Sequence, residues 1–309
     1  MSRRILVTGA AGLIGRELLP VLRACGGEVV ALGRSAADLP GYIRCDLSDQ
    51  EATRSAIEKL RPDTVVHLAG GARPNRHELY RDNVLATVHL LDAAATLETP
   101  PWCIVFGSAA EYGDSSSAPL SESSPLNPVT EYGRVKVAQT TLAEWISGAR
   151  GVPLTVLRPF NLVSSRLPSS TALGNLRQQL LAANGDVRQV RCGRLDIVRD
   201  YVPLANVAEV VRRLLERPAP GRVLNVCSGV GIEVGEILAA LARRLGVELR
   251  ITTDAALAKM PAAPCVVGDP AALRETVGLR IAPTPEGLAE ILLGSSFDQE
   301  RKSPNKISS

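Results

Sequence analysis

The chain has 309 residues, is 45% hydrophobic and carries 35 Lys and Arg against 32 Asp and Glu, a net charge of +3 at pH 7. That content suffices for a core and a second lobe. The basic residues are scattered, and no run of about 18 apolar residues occurs, so neither nucleic acid nor a membrane is an expected partner. The first apolar stretch breaks at Thr8-Gly9, which reads as a strand end rather than a secretion signal, and the protein is expected to be soluble and cytoplasmic.

Arg3-Arg4-Ile5-Leu6-Val7 leads into Thr8-Gly9-Ala10-Ala11-Gly12-Leu13-Ile14-Gly15, an apolar strand turning through three glycines into an amphipathic helix. This is the pattern of a dinucleotide pyrophosphate cradle. Gly9 takes the tight turn, Gly12 lets the backbone approach the phosphates, and Gly15 allows close helix packing. The helix start then offers N–H groups and a positive dipole end to an anion. A second apolar run, Glu28-Val29-Val30-Ala31-Leu32, completes a βαβ unit.

Strand and helix patterns alternate through the first half. Strands are expected at 5–8, 28–32, 42–45, 64–68, 104–106 and 154–157, and helices at 13–25 (with Pro20 as an expected kink), 50–60, 79–97 and 131–147. The alternation implies a doubly wound parallel sheet with ligands beyond the carboxyl ends of its strands. From about Pro159 the rhythm breaks into Ser/Pro/Asn/Gly-rich stretches (163–171 and 183–193). A shorter series follows, from Val223-Leu224-Asn225-Val226 to 288–293. The expected α/β architecture is therefore a first domain over 1–160, a smaller C-terminal substrate lobe over 161–294 with some segments returning to the first domain, and a frayed polar tail over 295–309. The six cysteines, Cys25, Cys45, Cys103, Cys192, Cys227 and Cys265, show no CxxC pairing and read as reduced thiols. His67, His77 and His89 lack metal-ligand spacing, and no metal is expected.

The fifth strand ends in Val105-Phe106-Gly107-Ser108, and Tyr132-Gly133-Arg134-Val135-Lys136 opens a helix shortly afterwards. Tyr132 and Lys136, at i and i+4, share a helix face. A phenol ionises near pH ~10, and Lys136 with an oxidised nicotinamide ring nearby is expected to favour the phenolate. Ser108, at a strand end, can donate to a carbonyl or alkoxide oxygen.

With these residues placed, the chain resembles the extended short-chain dehydrogenase/reductase family over nearly its whole length. The matching pieces are Thr8 to Gly15, Cys45-Asp46-Leu47, His67-Leu68-Ala69-Gly70, Asn83-Val84-Leu85-Ala86-Thr87, Ser108 to Gly113, Tyr132 to Lys136, Arg158-Pro159-Phe160-Asn161 and Arg199-Asp200-Tyr201. The resemblance implies a Rossmann-type fold in which Tyr132 is the proton donor and acceptor, Lys136 holds the nicotinamide ribose and Ser108 contacts the reacting oxygen. It implies a cofactor set of Gly9, Ala11, Gly12, Leu13, Ile14, Gly15, Asp46, Leu47, Leu68, Ala69, Gly70, Asn83 and Pro159. Ser108, Ala109, Glu111, Asn161 and Arg199 are implied as contacts to a nucleotide-diphosphate sugar, and a homodimer through helices 79–97 and 131–147 is implied as well. Apolar positions Val84, Val88, Leu91, Ala94, Leu97, Val135, Ala138, Leu142 and Ile146 exceed what one core-facing stripe needs.

Within the family, 4,6-dehydratases follow the strand-end hydroxyl with an Asp-Glu pair, whereas this chain has Ala109-Ala110. Methyl groups cannot carry out proton removal, so dehydration is not expected. Gly107 to Gly113, Asn225-Val226-Cys227-Ser228-Gly229 and Val267 to Arg274 are similar to reductases of GDP-4-keto-6-deoxymannose. Pro203-Leu204-Ala205-Asn206 departs from that pattern, which bears on the sugar and nucleoside. The second strand ends in Gly33-Arg34 without the carboxylate that NAD enzymes place there, and a guanidinium suits a 2′-phosphate, so NADP(H) is expected over NAD(H). The expectation is an NADP(H)-dependent reductase of a nucleotide-activated 4-keto sugar. A 4-epimerase with retained NAD, and a catalytically silent NADP-sensing or scaffold protein, stand as alternatives. Glu111 reads equally as a second acid/base or a plain loop carboxylate, while Arg16, Arg188, Arg191 and Arg194 read as phosphate contacts or surface charges.

Overall fold

A computed structural model describes residues 3–72, 75–115, 118–183, 185–259 and 262–294. The polar tail 295–309 lies outside the described residues. Seven strands form one parallel sheet in the order β10-β6-β5-β4-β1-β2-β3. They are β1 (Arg4–Thr8), β2 (Glu28–Gly33), β3 (Tyr42–Arg44), β4 (Thr64–His67), β5 (Trp102–Phe106), β6 (Leu154–Pro159) and β10 (Arg222–Val226). Strand order reverses at β1, whose neighbours are β2 and β4, and an open parallel sheet forms its ligand crevice at such a point.

Both faces of the sheet are covered, as its near-continuous Val, Ile and Leu runs require. One core contains Ile5, Val7 and Ile104 with Leu18, Leu19 and Leu22 of helix α1 (Leu13–Ala24) and Val207, Val211 and Leu214 of α7 (Leu204–Glu216). The other sets Leu6, Val65 and Val105 against α2 (Gln50–Leu60), α4 (Ala86–Ala94) and α5 (Glu131–Arg150). Pro20 lies inside α1 without ending it. No described helix is long and apolar enough to cross a membrane. All six cysteines are free, and Cys45, Cys103, Cys192 and Cys227 are buried.

Three expectations are corrected. The helix expected over 79–97 is a short helix α3 (Arg76–Tyr80), a π-helical turn (Arg81–Leu85) and α4, because Asn83 turns its carboxamide inward to Gly71 and Leu79. The stretch 183–193 is not irregular throughout: β8 (Val187–Cys192) pairs with β12 (Glu248–Thr253), burying Val190 and Cys192 in a period of two. The run Val223 to Val226 belongs to the large sheet as β10, parallel to β6, and not to the series that follows it.

The remaining C-terminal elements build a third core. Around β9 (Val198–Pro203) pair β7 (Asn161–Val163), β11 (Gly231–Glu233) and β13 (Cys265–Val266). Against them pack α6 (Ala172–Ala182), α8 (Val234–Leu245) and α11 (Pro285–Leu293), through residues such as Leu176, Ile237, Leu241 and Leu288.

Close packing of α1 on the cradle turn has a direct test. A Cβ on Gly15 would clash with the Ala10 carbonyl oxygen, a backbone atom that could yield only by shifting the turn. Gly15→Ala is expected to lower unfolding stability by about 1–3 kcal/mol in urea titrations despite alanine's better helix propensity. A neutral or stabilising effect would refute the packing argument.

Candidate active site

Beyond the carboxyl ends of β1, β2 and β4 lies a groove of about 430 Å³. Its walls include Gly9, Ala11, Gly12, Gly33, Arg34, Asp46, Leu47, Leu68, Ala69 and Gly70 from the expected cofactor set. Gly9 has φ +64°, and a Cβ there would come within 2.7 Å of the Ala69 nitrogen. Gly12 is the N-cap of α1 and supplies no side-chain cap, so the first-turn N–H groups are left for a ligand anion. A glycine floor at an uncapped helix start fits a dinucleotide pyrophosphate.

Five members of the expected cofactor set do not line the groove: Pro159 belongs to the second cavity, described below, and four lie elsewhere. Leu13 and Ile14 pack against the core, and Gly15 abuts Ala10. Asn83 is fully buried, where its Oδ1 accepts from Gly71 N at 2.9 Å and its Nδ2 donates to Leu79 O at 2.7 Å, so it shapes the loop after β4. Arg16 lines the groove and donates to Ala11 O at 2.9 Å.

Arg34 is placed in the groove but is not a lone cation. Its Nη1 and Nη2 donate to the two carboxylate oxygens of Asp82 at 2.7 and 3.1 Å. Asp82 is 7% exposed, lines the same groove and also accepts from Arg81 at 2.8 Å. Sequence reasoning found no carboxylate at the end of β2. The structure supplies one from the π-helical turn, about fifty residues away in the chain.

A second cavity, of about 280 Å³, is lined by Ser108, Ala109, Ala110, Tyr132, Pro159, Asn161 and Arg199. Ser108 caps a 3₁₀ turn (Ala109–Glu111), and its hydroxyl accepts from Ala110 N at 3.1 Å. Tyr132 stands in the first turn of α5, whose N-cap Thr130 accepts from Gly133 N. Burial pushes the Tyr132 phenol up to about 12, against the pull of a hydrogen bond with Ser108. Desolvation outweighs that hydrogen bond, so in the protein alone Tyr132 keeps its proton. Asn161 donates to Asp200 O at 3.1 Å, and Arg199 donates to Val198 O at 2.8 Å.

Lys136 lies behind Tyr132, its Nζ 5.9 Å from the ring centroid. It donates to Phe106 O and to Gln139 Oε1, each at 2.8 Å. Burial draws its ammonium down to about 8, while Glu111 opposes the shift. From Gln139 a polar chain runs through the core. Thr87 Oγ1 donates to Asn83 O at 2.6 Å and so accepts from Gln139 Nε2 and from His67 Nε2, both at 2.9 Å. His67 Nδ1 accepts in turn from Thr8 Oγ1 at 2.8 Å. Desolvation, with Lys136 adding to it, lowers His67 to about 3, so the imidazole is neutral.

Glu111, expected among the substrate contacts, is corrected to an internal anion. It is fully buried and absent from the cavity wall because its oxygens are taken. One accepts from Ser108 N at 2.8 Å; the other accepts from Thr140 Oγ1 at 2.9 Å and Arg158 Nε at 2.8 Å. Burial raises its carboxyl above the usual range, with Arg158 the largest opposing influence. Arg191 and Arg194 pair with Asp254 and Asp196 at exposed positions, and neither they nor Arg188 line the cavity. Asp82, Gln139 and the anchoring role of Arg158 were not anticipated; Arg158 opens a motif, Arg158-Pro159-Phe160-Asn161, that gives no hint of that role, and no linear motif marks the other two.

Residues 5–227 match the model of a family described as the NAD dependent epimerase/dehydratase family. The chain is 33% identical over 262 residues to dTDP-6-deoxy-L-talose 4-dehydrogenase (NAD(P)(+)) of Kitasatospora kifunensis, covering 81% of each. It is 28% identical over 289 residues to GDP-6-deoxy-D-mannose reductase of Pseudomonas aeruginosa, covering 90% of this chain and 92% of that one. Among solved structures it is similar to RMD from Pseudomonas aeruginosa complexed with NADPH, with a TM-score of 0.82, 25% identity and coverage of 98% and 99%.

Removing the Glu111 carboxylate would leave Arg158 buried without its counter-ion. Glu111→Ala is expected to cost about 3–5 kcal/mol of unfolding free energy by denaturant titration. A loss below about 1 kcal/mol would mean that the pair contributes no more than an exposed one.

Proposed function

The chain belongs to the NAD dependent epimerase/dehydratase family, and on that footing we propose that it reduces the ketone of a nucleotide-activated 4-keto deoxysugar with NADP(H). It is an NAD(P)-dependent oxidoreductase of the extended short-chain dehydrogenase/reductase type. The observation that carries the finer reading is Tyr132 beside Ser108 on the wall of a cavity that otherwise presents two alanines, Asn161 and Arg199.

When bound, the nicotinamide cofactor supplies the two-electron reducing equivalent, and Gly9, Gly12, Leu68, Ala69 and Arg34, which line the groove, would hold it. Ser108 orients the ketone oxygen, and Tyr132 passes its phenolic proton to that oxygen as negative charge develops. Lys136, tethered by Phe106 O and Gln139, lends its positive charge to the resulting phenolate. Arg199, whose hydrogen bond to its own strand leaves donors over, faces a diphosphate with Asn161. Ala109 and Ala110 offer no carboxylate for elimination.

A 4-epimerase retaining NAD is a second reading, favoured by the carboxylate of Asp82 in the groove, an acceptor that a ribose 2′-hydroxyl takes. Stoichiometry separates the two, since a reductase consumes one cofactor per product and an epimerase consumes none. A silent sensor or scaffold has no use for Ser108, Tyr132 and Lys136 in one place.

Tyr132→Phe is expected to lower turnover of ketone reduction by roughly 10²–10⁴-fold while leaving cofactor affinity within a few-fold. Activity within a few-fold of wild type would remove Tyr132 as the proton donor. In the reductive direction kcat/KM is expected to fall as pH rises through about 8, where Lys136 loses its proton, since the lowered lysine carries its charge only below that value. A profile flat to pH 10, given about two units above that value, would contradict the role of the ammonium.

The homodimer is proposed on a narrower surface than the sequence suggested. Val84, Leu91, Ala94, Val135 and Ile146 are buried within the chain's own cores. Exposed on these helices are Leu85 on one and a 66% exposed Trp145 on the other, next to half-buried Val88, Ala138 and Leu142, which also pack on the chain's own core. Sedimentation equilibrium is expected to show a dimer at micromolar concentration that Trp145→Glu weakens. A wild-type monomer under those conditions would reject it.

A further inference from the structure

Gly33 closes β2 at a point where a side-chain carboxylate, the usual acceptor from a cofactor ribose, would have to displace the Tyr42 side chain. A Cβ there would stand 2.6 Å from the Tyr42 hydroxyl, which donates to Ser35 O. The carboxylate in the groove comes instead from Asp82, and its position is fixed from two sides. The π-helical turn that carries it is pinned by the Asn83 carboxamide on Gly71 and Leu79, and Arg81 binds Asp82 Oδ1 through Nε at 2.9 Å and Nη2 at 2.8 Å. Held in this way and 7% exposed, Asp82 is weakly screened and cannot swing out of the groove.

We infer that Asp82 sets the balance between NADP(H) and NAD(H), an inference that rests on the reading of this groove as the dinucleotide site. Its fork to Arg34 occupies only the end-on N–H pair of the guanidinium, leaving the remaining donors to face a ligand. A 2′-phosphate therefore meets a guanidinium that attracts it and, beside it on the same groove wall, a carboxylate that repels it. A ribose 2′-hydroxyl meets an acceptor. The pair accordingly admits both cofactors and holds the preference for NADP(H) below what an arginine without a carboxylate partner would impose.

Dissociation constants for NADPH and NADH, measured by nicotinamide fluorescence on the full chain, test this in wild type, Asp82→Asn, Asp82→Ser and Arg34→Ala. Wild type is expected to favour NADPH by no more than about tenfold, and each Asp82 variant to raise that preference at least about fivefold by tightening NADPH and loosening NADH. Arg34→Ala is expected to abolish the preference. The serine variant serves if the asparagine variant does not fold, and the wild-type ratio depends on neither. A wild-type preference above about a hundredfold, or a preference that stays level or falls in the Asp82 variants, overturns the inference while leaving the groove reading intact. Wild type that binds neither cofactor overturns the groove reading, and the inference with it.

Discussion

The catalytic half of the molecule is organised around one buried carboxylate. Glu111 takes hydrogen bonds from the end of β5 at Ser108 N, from α5 at Thr140 and from β6 at Arg158, so three elements meet at one anion. An ion in the protein interior is tolerable only when paired and saturated with donors, and this demand is directional in a way that apolar packing is not. Arg158 carries the constraint outward, since it also donates to the Tyr112 hydroxyl, which in turn donates to Asn225 on β10. The strand-end serine is thus held by a network that reaches the edge of the sheet.

A second network joins the two cavities. Thr8, at the last position of β1, and Lys136, behind Tyr132, are linked through neutral His67, Thr87 and Gln139 without a break. The donor directions fix the histidine proton on Nε2, and each buried polar atom along the path has a partner. Because Thr8 Oγ1 also accepts from Ala69 N in the first groove, the glycine turn and the ammonium share one rigid frame. Their spacing is set by side-chain chemistry, in addition to sheet register.

Much of this was legible in the sequence because it is written in local patterns. The strand, glycine turn and helix over 4–24, helix 50–60 and the strand end at Thr8 depend on neighbours within a turn or two and appear as the patterns indicate, whereas β5 stops at Phe106 and β6 runs on to Pro159. The carboxylate of Asp82 was invisible because it reaches the groove by way of a π-helical turn, and periodicity of 3.6 cannot register an inserted residue. Glu111 was ambiguous for a different reason: whether a loop acid faces a ligand or an arginine depends on β6, which lies 47 residues on. The strand over 187–192 was obscured by its Arg and Gln residues, although its alternation was present.

The return of β10 to the large sheet bears on how the chain acquires its fold. Its partner β6 is a central strand with β5 on one side, and it waits for its other neighbour through residues 160 to 221 while β7, α6, β8, β9 and α7 are laid down. Until then an apolar strand edge stands open, the condition under which chains pair with one another rather than with themselves. A fragment ending near residue 160 would keep that edge permanently and would lack α7 as the cover for half of one sheet face. The unit of expression and of evolutionary exchange is therefore the chain through β10 and its surroundings, because the nucleotide-binding sheet is not finished by the segment that carries its motifs.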